Sequence, residues 1–298
     1  MPLQERHASV RAERLFRPVP AAPVPAAEDA AGSACRALEA ELAAYPKPGL
    51  VSFVDNGSHA DMNAGHFQAS IAALRPFFAE TFVAGLEDGE FAALRAVGLR
   101  AEASMLRATG GVNAHRGAIF CLGLLSAAAG RLYRDGRAPS LDALAGTVAE
   151  RWGPDILNGL DHGPPSHGRA AWTALGMGGA RTEAAAGFPC VLQAGAPAML
   201  EALDAGASAN AARVHALFAI LAVAGDTALA HRGGREGVDF ARRQAERFLA
   251  QGGALTPGWR DRALAVHRAF IARNLSPGGA ADLLSATLFC LALSREAS

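Results

Sequence analysis

A chain of 298 residues is long enough to bury a full hydrophobic core, as one large domain or as two small ones. Hydrophobic residues make up 51% of the chain and aromatic residues only 6%, and alanine is abundant, which favours closely packed helices over an aromatic-rich β core. Lysine and arginine total 28, as do aspartate and glutamate, so bulk charge does not favour binding to nucleic acid or to a membrane surface. Any anionic ligand would need a local cluster of cations.

The N-terminal segment and the cysteines bear on the compartment. Residues 1–30 are predicted to form a disordered leader rich in proline and alanine, without the apolar segment of a secretory signal. The longest apolar runs, 118–129 and 216–224, are shorter than the roughly 20 residues that span a bilayer. The cysteines lie far apart in apolar stretches, which predicts buried structural thiols and no disulfide framework (Cys35, Cys121, Cys190 and Cys290). We therefore expect a soluble, cytoplasmic protein.

From residue 33 onward, helical patterns alternate with loops, and the period-two alternation of strands is nearly absent. A first helix is predicted over 33–45, capped by Ser33, and a second after Asp61 or Asn63, which Pro76 would kink or end. Further helices are predicted at about 90–108, 118–132, 141–152, 189–205, 208–224, 235–250, 257–274 and 279–295, with caps at Ser140, Ser208, Thr256 and Ser276. Residues 158–179 are predicted to be irregular. The prediction is an all-α fold, a single bundle-like domain of roughly ten helices over residues 31–298.

Five glycine-bearing junctions between these helices hold most of the chemically capable side chains: 46–62, 109–117, 166–188, 225–234 and 276–282. In a helical domain such segments can gather around one cavity, and we predict that these do. Residues 109–117 place Asn113, His115 and Arg116 just before a helix, where free N–H groups and the helix dipole favour an anion. The glycines Gly278 and Gly279 open a second helix of this kind, for which an ordinary capped turn is the alternative.

Two of the junctions combine a carboxylate with an arginine among glycines, Glu183 with Arg181 and Asp226 with Arg232. The arginines could hold phosphates, and the carboxylates could hold Mg²⁺ or transfer a proton. The alternative is a surface ion pair, worth under about 1 kcal/mol. The histidines of the junctions lack the spacing of a helical zinc site, so we expect them to form hydrogen bonds or position a substrate (His59, His115, His167 and His231). Oxygen ligands without zinc spacing favour Mg²⁺ bound with a polyphosphate.

Together these stretches resemble the triphosphoribosyl-dephospho-CoA synthase family, which makes the prosthetic-group precursor of citrate lyase and malonate decarboxylase. The resemblance covers about residues 33–295 in the family's order. The matching segments are 46–51 (Pro-Lys-Pro-Gly-Leu-Val), 57–62 (Gly-Ser-His-Ala-Asp-Met) with Phe67 and Ser70, 111–120 (Gly-Val-Asn-Ala-His-Arg-Gly-Ala-Ile-Phe), 167–168 (His-Gly), 179–184 (Gly-Ala-Arg-Thr-Glu-Ala), 187–189 (Gly-Phe-Pro), 226–227 (Asp-Thr), 232–234 (Arg-Gly-Gly) and 276–284 (Ser-Pro-Gly-Gly-Ala-Ala-Asp-Leu-Leu).

The resemblance implies transfer of the 5-triphosphoribosyl group of ATP to the ribose 2′-hydroxyl of 3′-dephospho-CoA, with release of adenine and with Mg²⁺ as cofactor. Such a step needs a carboxylate to accept the hydroxyl proton, a hydrogen-bonding group for the leaving adenine, and cations for the triphosphate. On this hypothesis either Asp61 or Glu183 is the general base, and His59 or His115 contacts the adenine. The phosphates would be bound by Lys47, Asn113, Arg116, Arg181, Arg232, Gly278 and Gly279, and Mg²⁺ would be held by Asp226 with Asp282.

The resemblance also implies that the product passes to a holo-acyl-carrier-protein synthase, and the sequence is compatible with a homodimer. Two other interpretations remain open. One is an all-α, Mg²⁺-dependent hydrolase of nucleotides or ADP-ribose groups, which would use water as the acceptor. The other is a helical binding module that presents a CoA-like group to a partner without turnover.

Overall fold

The computed structural model describes residues 24–162 and 178–296, and this part of the chain consists of eleven α-helices without a strand. The helices are α1 (Val24–Ala43), α2 (Ala64–Leu86), α3 (Phe91–Ala108), α4 (Arg116–Arg134), α5 (Leu141–His162), α6 (Gly179–Ala185), α7 (Ala196–Asp204), α8 (Ala209–Val223), α9 (Thr227–Ala250), α10 (Trp259–Ile271) and α11 (Gly278–Glu296). A π-helical turn, Val191–Gly195, leads into α7, and a short 3₁₀ turn, Gly253–Leu255, separates α9 from α10. The predicted all-α class is confirmed.

Helices α2 and α4 form the centre of the bundle. Helix α4 is buried over most of its length because nearly every residue from 118 to 132 is apolar or small. Two glycines allow the backbones of α2 and α4 to approach closely: a Cβ added to Gly85 would lie 1.9 Å from the carbonyl oxygen of Ala127, and one added to Gly130 would lie 1.9 Å from that of Phe82. Helices α1 and α3 pack on α2, and α11 packs on both α1 and α4. The outer helices thus enclose one apolar core.

Several predicted helix starts are confirmed by hydrogen bonds. The side chain of Asn63 accepts from the N–H groups of Gly65 and His66 at the start of α2, and the His66 side chain completes the capping box. Ser140 and Ser208 cap α5 and α8 in the same way. Pro76 lies inside α2, which continues to Leu86, so of the two predicted alternatives, a kink or an early end, the early end is wrong.

The first helix begins earlier than predicted. It starts at Val24, so residues 24–30 belong to α1 and not to the predicted leader, and Ser33 is buried within the helix where a cap was predicted. The reason is an alanine face that packs into the core, including Ala27, Ala30 and Ala31. Such packing outweighs the weak local signals for a helix start. Residues 1–23 of the predicted leader lie outside the described residues.

Three later boundaries also differ from the prediction. Helix α5 runs through Pro154 to His162, so residues 158–162 are helical, and residues 163–177 of the predicted irregular stretch lie outside the described part of the chain. Helix α9 begins at Thr227, because Asp226 caps it, and it is broken at Gly234, whose φ is 58°. Helix α10 begins after Gly258 and not after Thr256.

Among the described helices, α2 alone is long and apolar enough to cross a membrane by itself. Helix α8 and the segment 227–255 that follows it reach that length and hydropathy only together, and they are bent by 62° relative to each other. Helix α2 packs against α1, α3 and α4. Such packing is that of a core helix.

Candidate active site

An open cavity of about 1090 Å³ lies where the five glycine-bearing junctions meet. Each junction contributes to its wall, for example through His59, His115, Glu183, Asp226 and Asp282. Helices α2, α3 and α4 add an apolar side, to which Phe77, Phe91, Leu94 and Phe120 contribute. The predicted convergence of the junctions is confirmed for the described residues.

Asp226 joins the starts of two helices. Its Oδ1 accepts from the N–H groups of Ala228 and Leu229 at 2.8 and 3.1 Å, and its Oδ2 accepts from Ala280 N at 2.9 Å. The N–H of Gly279 also bonds to this carboxylate. Burial raises the pKa of Asp226, although these four bonds act in the opposite direction. The start of α11 is therefore occupied by a carboxylate, so the phosphate contact predicted for the backbone of Gly279 is not favoured.

Asp282 lies at the start of α4 in a similar way. Its carboxylate accepts a hydrogen bond from the N–H of Ala118, and a Cβ on Gly117 would lie 1.9 Å from Oδ2, so only glycine leaves room for it. Burial, and then the nearby carboxylates of Asp226 and Glu41, raise the pKa of Asp282 well above its usual range. The carboxylates of Asp226 and Asp282 thus take up helix N-termini that could otherwise bind anions.

The predicted Mg²⁺ ligands fit that ion unequally. Within residues 24–162 and 178–296, no three His, Cys, Asp or Glu side chains form a metal-binding group. Both oxygens of Asp226 already accept backbone N–H groups, whereas Asp282 accepts a single backbone bond. Mg²⁺ is commonly held by one or two protein carboxylates together with substrate phosphates. The residues therefore fit an Mg²⁺ ion that has Asp282 as its protein ligand and phosphate oxygens as the others.

Both ring nitrogens of His59 are engaged. Arg232 donates from Nη2 to Nδ1 at 3.0 Å, so the proton lies on Nε2, which donates to Ser276 Oγ at 2.9 Å. Arg232 also donates from Nη1 to Ser58 O and to Asn274 Oδ1, both at 3.0 Å. Burial and then the Arg232 charge lower the pKa of His59. His59 thus ties the first junction to the last through Ser276, and Arg232 ties the fourth junction to the first.

His115 has a free nitrogen. It is 3% exposed, its Nδ1 bonds to Ser70 Oγ at 2.7 Å, and its ring lies edge-on to Phe67 with centroids 4.8 Å apart. Its Nε2 is buried without a hydrogen-bond partner. Burial, and then the charge of Lys47, lower the pKa of His115 to about 3, so the ring is neutral near pH 7. An unpaired buried nitrogen costs about 1–3 kcal/mol, which suggests that Nε2 contacts a ligand.

The two candidate bases differ in environment. Glu183 is partly buried, and its Oε1 accepts from Cys190 N at 2.6 Å. Burial raises the pKa of Glu183, and the bonds from Cys190 partly offset this increase. The side chain of Asp61 is 72% exposed, with Oδ1 3.7 Å from His59 Nδ1. Glu183 therefore has the environment expected of a general base, and Asp61 lies at the solvent edge of the cavity.

Lys47 and Arg116 are both neutralised by carboxylates. Lys47 is 1% exposed and donates from Nζ to Glu41 Oε1 at 2.6 Å, and burial lowers its pKa despite that partner. It is absent from the cavity wall, so the geometry does not favour the phosphate contact predicted for it. Exposed Arg116 pairs with Glu102, and its backbone N–H donates to Asn113 Oδ1 at 3.1 Å.

Arg181 and Arg95 differ from Lys47 and Arg116 because no carboxylate of the described residues neutralises them. Both line the cavity, and neither forms an ion pair or a hydrogen bond through its side chain with the described residues. Burial, and then the nearby charge of Arg95, lower the pKa of Arg181. Arg95 is exposed and lies on the stripe of α3 that lines the cavity with Phe91, Gly98 and Glu102.

The comparison with known proteins decides the family. The sequence model of the family described as "CitG: ATP:dephospho-CoA triphosphoribosyl transferase" matches residues 27–298. The chain belongs to this family. It is therefore an enzyme, a triphosphoribosyl transferase, and the resemblance inferred from its motifs is confirmed.

Curated relatives of this transferase span nearly its whole length. The 2-(5''-triphosphoribosyl)-3'-dephosphocoenzyme-A synthase of Klebsiella pneumoniae is 39% identical over 272 residues, which cover 88% of this chain and 90% of the relative. Probable synthases of the same name are 43% identical in Pseudomonas paraeruginosa (84% and 85% covered) and 36% identical in Acinetobacter calcoaceticus (87% and 89% covered). No solved structure matches this chain.

In this transferase the cavity wall includes every predicted site residue except Lys47: Asp61, Glu183, His59, His115, Asn113, Arg116, Arg181, Arg232, Gly278, Gly279, Asp226 and Asp282. His167 lies outside the described residues. Glu41 and Arg95 also line the cavity, and no sequence motif identified them. Phe91 and Arg95 lie about one turn apart on the same face of α3, so helical periodicity could have indicated Arg95.

Proposed function

We propose that the enzyme transfers the 5-triphosphoribosyl group of ATP to the ribose 2′-hydroxyl of 3′-dephospho-CoA and releases adenine. The observation that carries this proposal is the meeting of five junctions at one cavity, where buried carboxylates lie near unpaired arginines. Ligand pockets commonly measure about 300–1,000 Å³. A cavity of about 1090 Å³ suits a site that takes two nucleotide substrates. The family description names ATP and dephospho-CoA, and the names of the relatives include 3'-dephosphocoenzyme-A, which supports the same substrates.

The reaction is a substitution at the anomeric carbon of the ATP ribose. The bond from C1″ to adenine N9 breaks and a bond from C1″ to the acceptor O2′ forms, while the triphosphate stays intact. The acceptor hydroxyl loses a proton, and the departing adenine gains one. Positive charge develops on the ribose in the transition state, as in glycosyl transfer generally. The protein must therefore supply a base for the hydroxyl and a hydrogen bond for the adenine.

Glu183 is the base in this scheme. Its carboxylate is held by hydrogen bonds from Cys190, one of them from the backbone N–H to Oε1, and it accepts the 2′-hydroxyl proton. A raised pKa makes the carboxylate a better proton acceptor near neutral pH. Asp61 is the less favoured candidate because its exposed carboxylate is well solvated.

His115 contacts the adenine. Its Nε2 is unpaired, whereas both nitrogens of His59 are engaged, which separates the two candidates. The neutral ring beside Phe67 offers a planar base one hydrogen bond and an apolar contact. His59 would instead keep the junctions in position.

Mg²⁺, held by Asp282 and phosphate oxygens, would neutralise part of the triphosphate charge. Metal binding at Asp282 also requires that carboxyl to lose its proton, which a divalent cation favours. We place the enzyme in the cytoplasm, where four free buried cysteines are stable. We also propose that the product passes to a holo-acyl-carrier-protein synthase that serves a citrate lyase or malonate decarboxylase.

Mass spectrometry of a reaction with ATP, Mg²⁺ and 3′-dephospho-CoA tests the proposal. The expected product has the summed mass of the two nucleotides less that of adenine, and free adenine forms only when 3′-dephospho-CoA is present. Adenine or phosphate released without 3′-dephospho-CoA would indicate a hydrolase. Binding of both nucleotides without any new mass would indicate a carrier.

A further inference from the structure

The positive charge available to a ligand in this cavity is concentrated at two side chains. Arg95 of α3 and Arg181 of α6 line the wall and lie close enough for the charge of Arg95 to affect the guanidinium of Arg181. Within residues 24–162 and 178–296, no carboxylate pairs with either of them. The other two arginines of the wall are engaged, Arg116 with Glu102 and Arg232 with His59 and Asn274.

Two unneutralised guanidinium groups on the wall of one cavity repel each other, and an anion bound between them lowers that cost. A guanidinium also matches a phosphate in shape, because its N–H groups form a planar fork that binds two oxygens at once. This pair therefore has the charge and the donor groups of a phosphate subsite.

Two helix starts on the cavity wall where a phosphate might bind are already occupied. At the start of α11, the N–H groups of Gly279 and Ala280 bond to Asp226, and at the start of α4 the N–H of Ala118 bonds to Asp282. The side chains of Asp226 and Asp282 already accept these N–H groups, which are therefore not available to an anion. A free polyphosphate is thus directed to the arginine pair.

We propose that Arg95 and Arg181 together form the subsite that binds the outer phosphates of the ATP triphosphate. This inference rests on the proposed function, and it adds Arg95, which no sequence motif identified. The triphosphate is favoured over the pyrophosphate of 3′-dephospho-CoA because it carries more charge. Arg95 is exposed, so the subsite lies at the solvent side of the cavity, and the ribose would extend inward toward the carboxylates.

Binding of inorganic triphosphate, measured by calorimetry without any nucleotide, tests the subsite apart from catalysis. The variants Arg95→Gln and Arg181→Gln are each expected to weaken binding at least tenfold relative to the unmodified enzyme. Arg95→Lys should recover part of the loss, because it keeps the charge but not the fork. Arg107→Gln is the matched control on α3: this side chain is exposed and absent from the cavity wall, so its binding should equal that of the unmodified enzyme.

Kinetics with both substrates identifies the phosphate that is bound. Arg95→Gln should raise the KM for ATP at least tenfold and leave the KM for 3′-dephospho-CoA within about twofold. Unchanged triphosphate binding in Arg95→Gln would overturn the proposal, and so would a rise confined to the KM for 3′-dephospho-CoA. If the enzyme binds triphosphate at this pair but makes no transfer product, the subsite stands and the proposed function fails.

Discussion

At the scale of single residues, the partner that each polar side chain already has determines what it can still do. His59 and His115 both line the cavity, but Arg232 and Ser276 occupy both nitrogens of His59, whereas His115 keeps Nε2 free. Because Arg232 donates to Nδ1, the imidazole of His59 carries its proton on Nε2 and cannot accept one from Ser276. Ser276 is therefore not an activated nucleophile, which agrees with direct transfer to the acceptor hydroxyl.

Neutral, nearly isosteric substitutions show which of the two candidates, Glu183 or Asp61, is the general base. Glu183→Gln is expected to lower kcat by about 10²–10⁴-fold, because an amide cannot accept the proton, while its oxygen still accepts from Cys190 N and preserves the local fold. Asp61→Asn should change kcat by less than about fivefold. Steady-state kinetics with both substrates measures this. A large loss in Asp61→Asn with near-normal Glu183→Gln would move the base to Asp61.

His115 should make stability depend on pH. Its pKa is about 3 in the folded protein and near 6.5 when the chain is unfolded. Between these values the unfolded chain binds a proton that the folded one does not, so this residue lowers stability as pH falls below about 6.5. Well inside that window, the contribution of His115 to the free energy of unfolding changes by about 1.4 kcal/mol per pH unit.

Urea denaturation of the unmodified protein and of His115→Gln between pH 4.5 and 7.5 checks this prediction. The free energy of unfolding should fall less steeply toward acid pH in His115→Gln than in the unmodified protein. The other groups with shifted pKa values, among them His59, Glu183 and Asp226, are present in both proteins, so the difference in slope reports His115. Parallel curves would show that His115 does not stay neutral when the protein is folded.

At the scale of helices, the close contact of α2 with α4 supports the wall of the cavity. In Gly130→Ala the new methyl group would lie 1.9 Å from a backbone oxygen of α2, which cannot move without shifting the helix. We expect a loss of about 1–3 kcal/mol of stability, the usual cost of overpacking a core. Thermal or urea denaturation measures it.

Gly146→Ala on α5 is the matched control for that substitution. No atom lies within 4 Å of a Cβ built on Gly146, so the same change should stabilise the protein by about 0.5–1 kcal/mol through its helix propensity. Equal effects at the two glycines would contradict the close packing of α2 on α4.

Helix starts also show which local features a sequence can predict. The caps at Asn63, Ser140 and Ser208 were predicted correctly, because each acts on residues two or three positions away. Asp226 caps α9 in the same local way, but it also bonds to Ala280 N, 54 residues further along the chain. That second contact depends on tertiary packing, so the sequence suggested free amides at α11 where the folded protein has bonded ones.

At the scale of the whole molecule, the all-α class and the meeting of the five junctions followed from helical periodicity and from the position of the glycines. The contacts of individual cations did not. Lys47 resembled a phosphate ligand, but folding buries it against Glu41, whereas Arg95 lies in no predicted motif and lines the cavity. A local pattern reveals the charge of a side chain and leaves its partner undetermined.

The tie between the first and last junctions has a consequence for synthesis. Ser58 and His59 are held by Leu275 and Ser276 at 2.7 and 2.9 Å, and Asp282 reaches the start of α4. A nascent chain on the ribosome that has reached only residue 270 has Glu183 and Arg181 but lacks these closing contacts. Because folding during translation proceeds from the N-terminus, the cavity wall cannot be complete until α11 has emerged and docked.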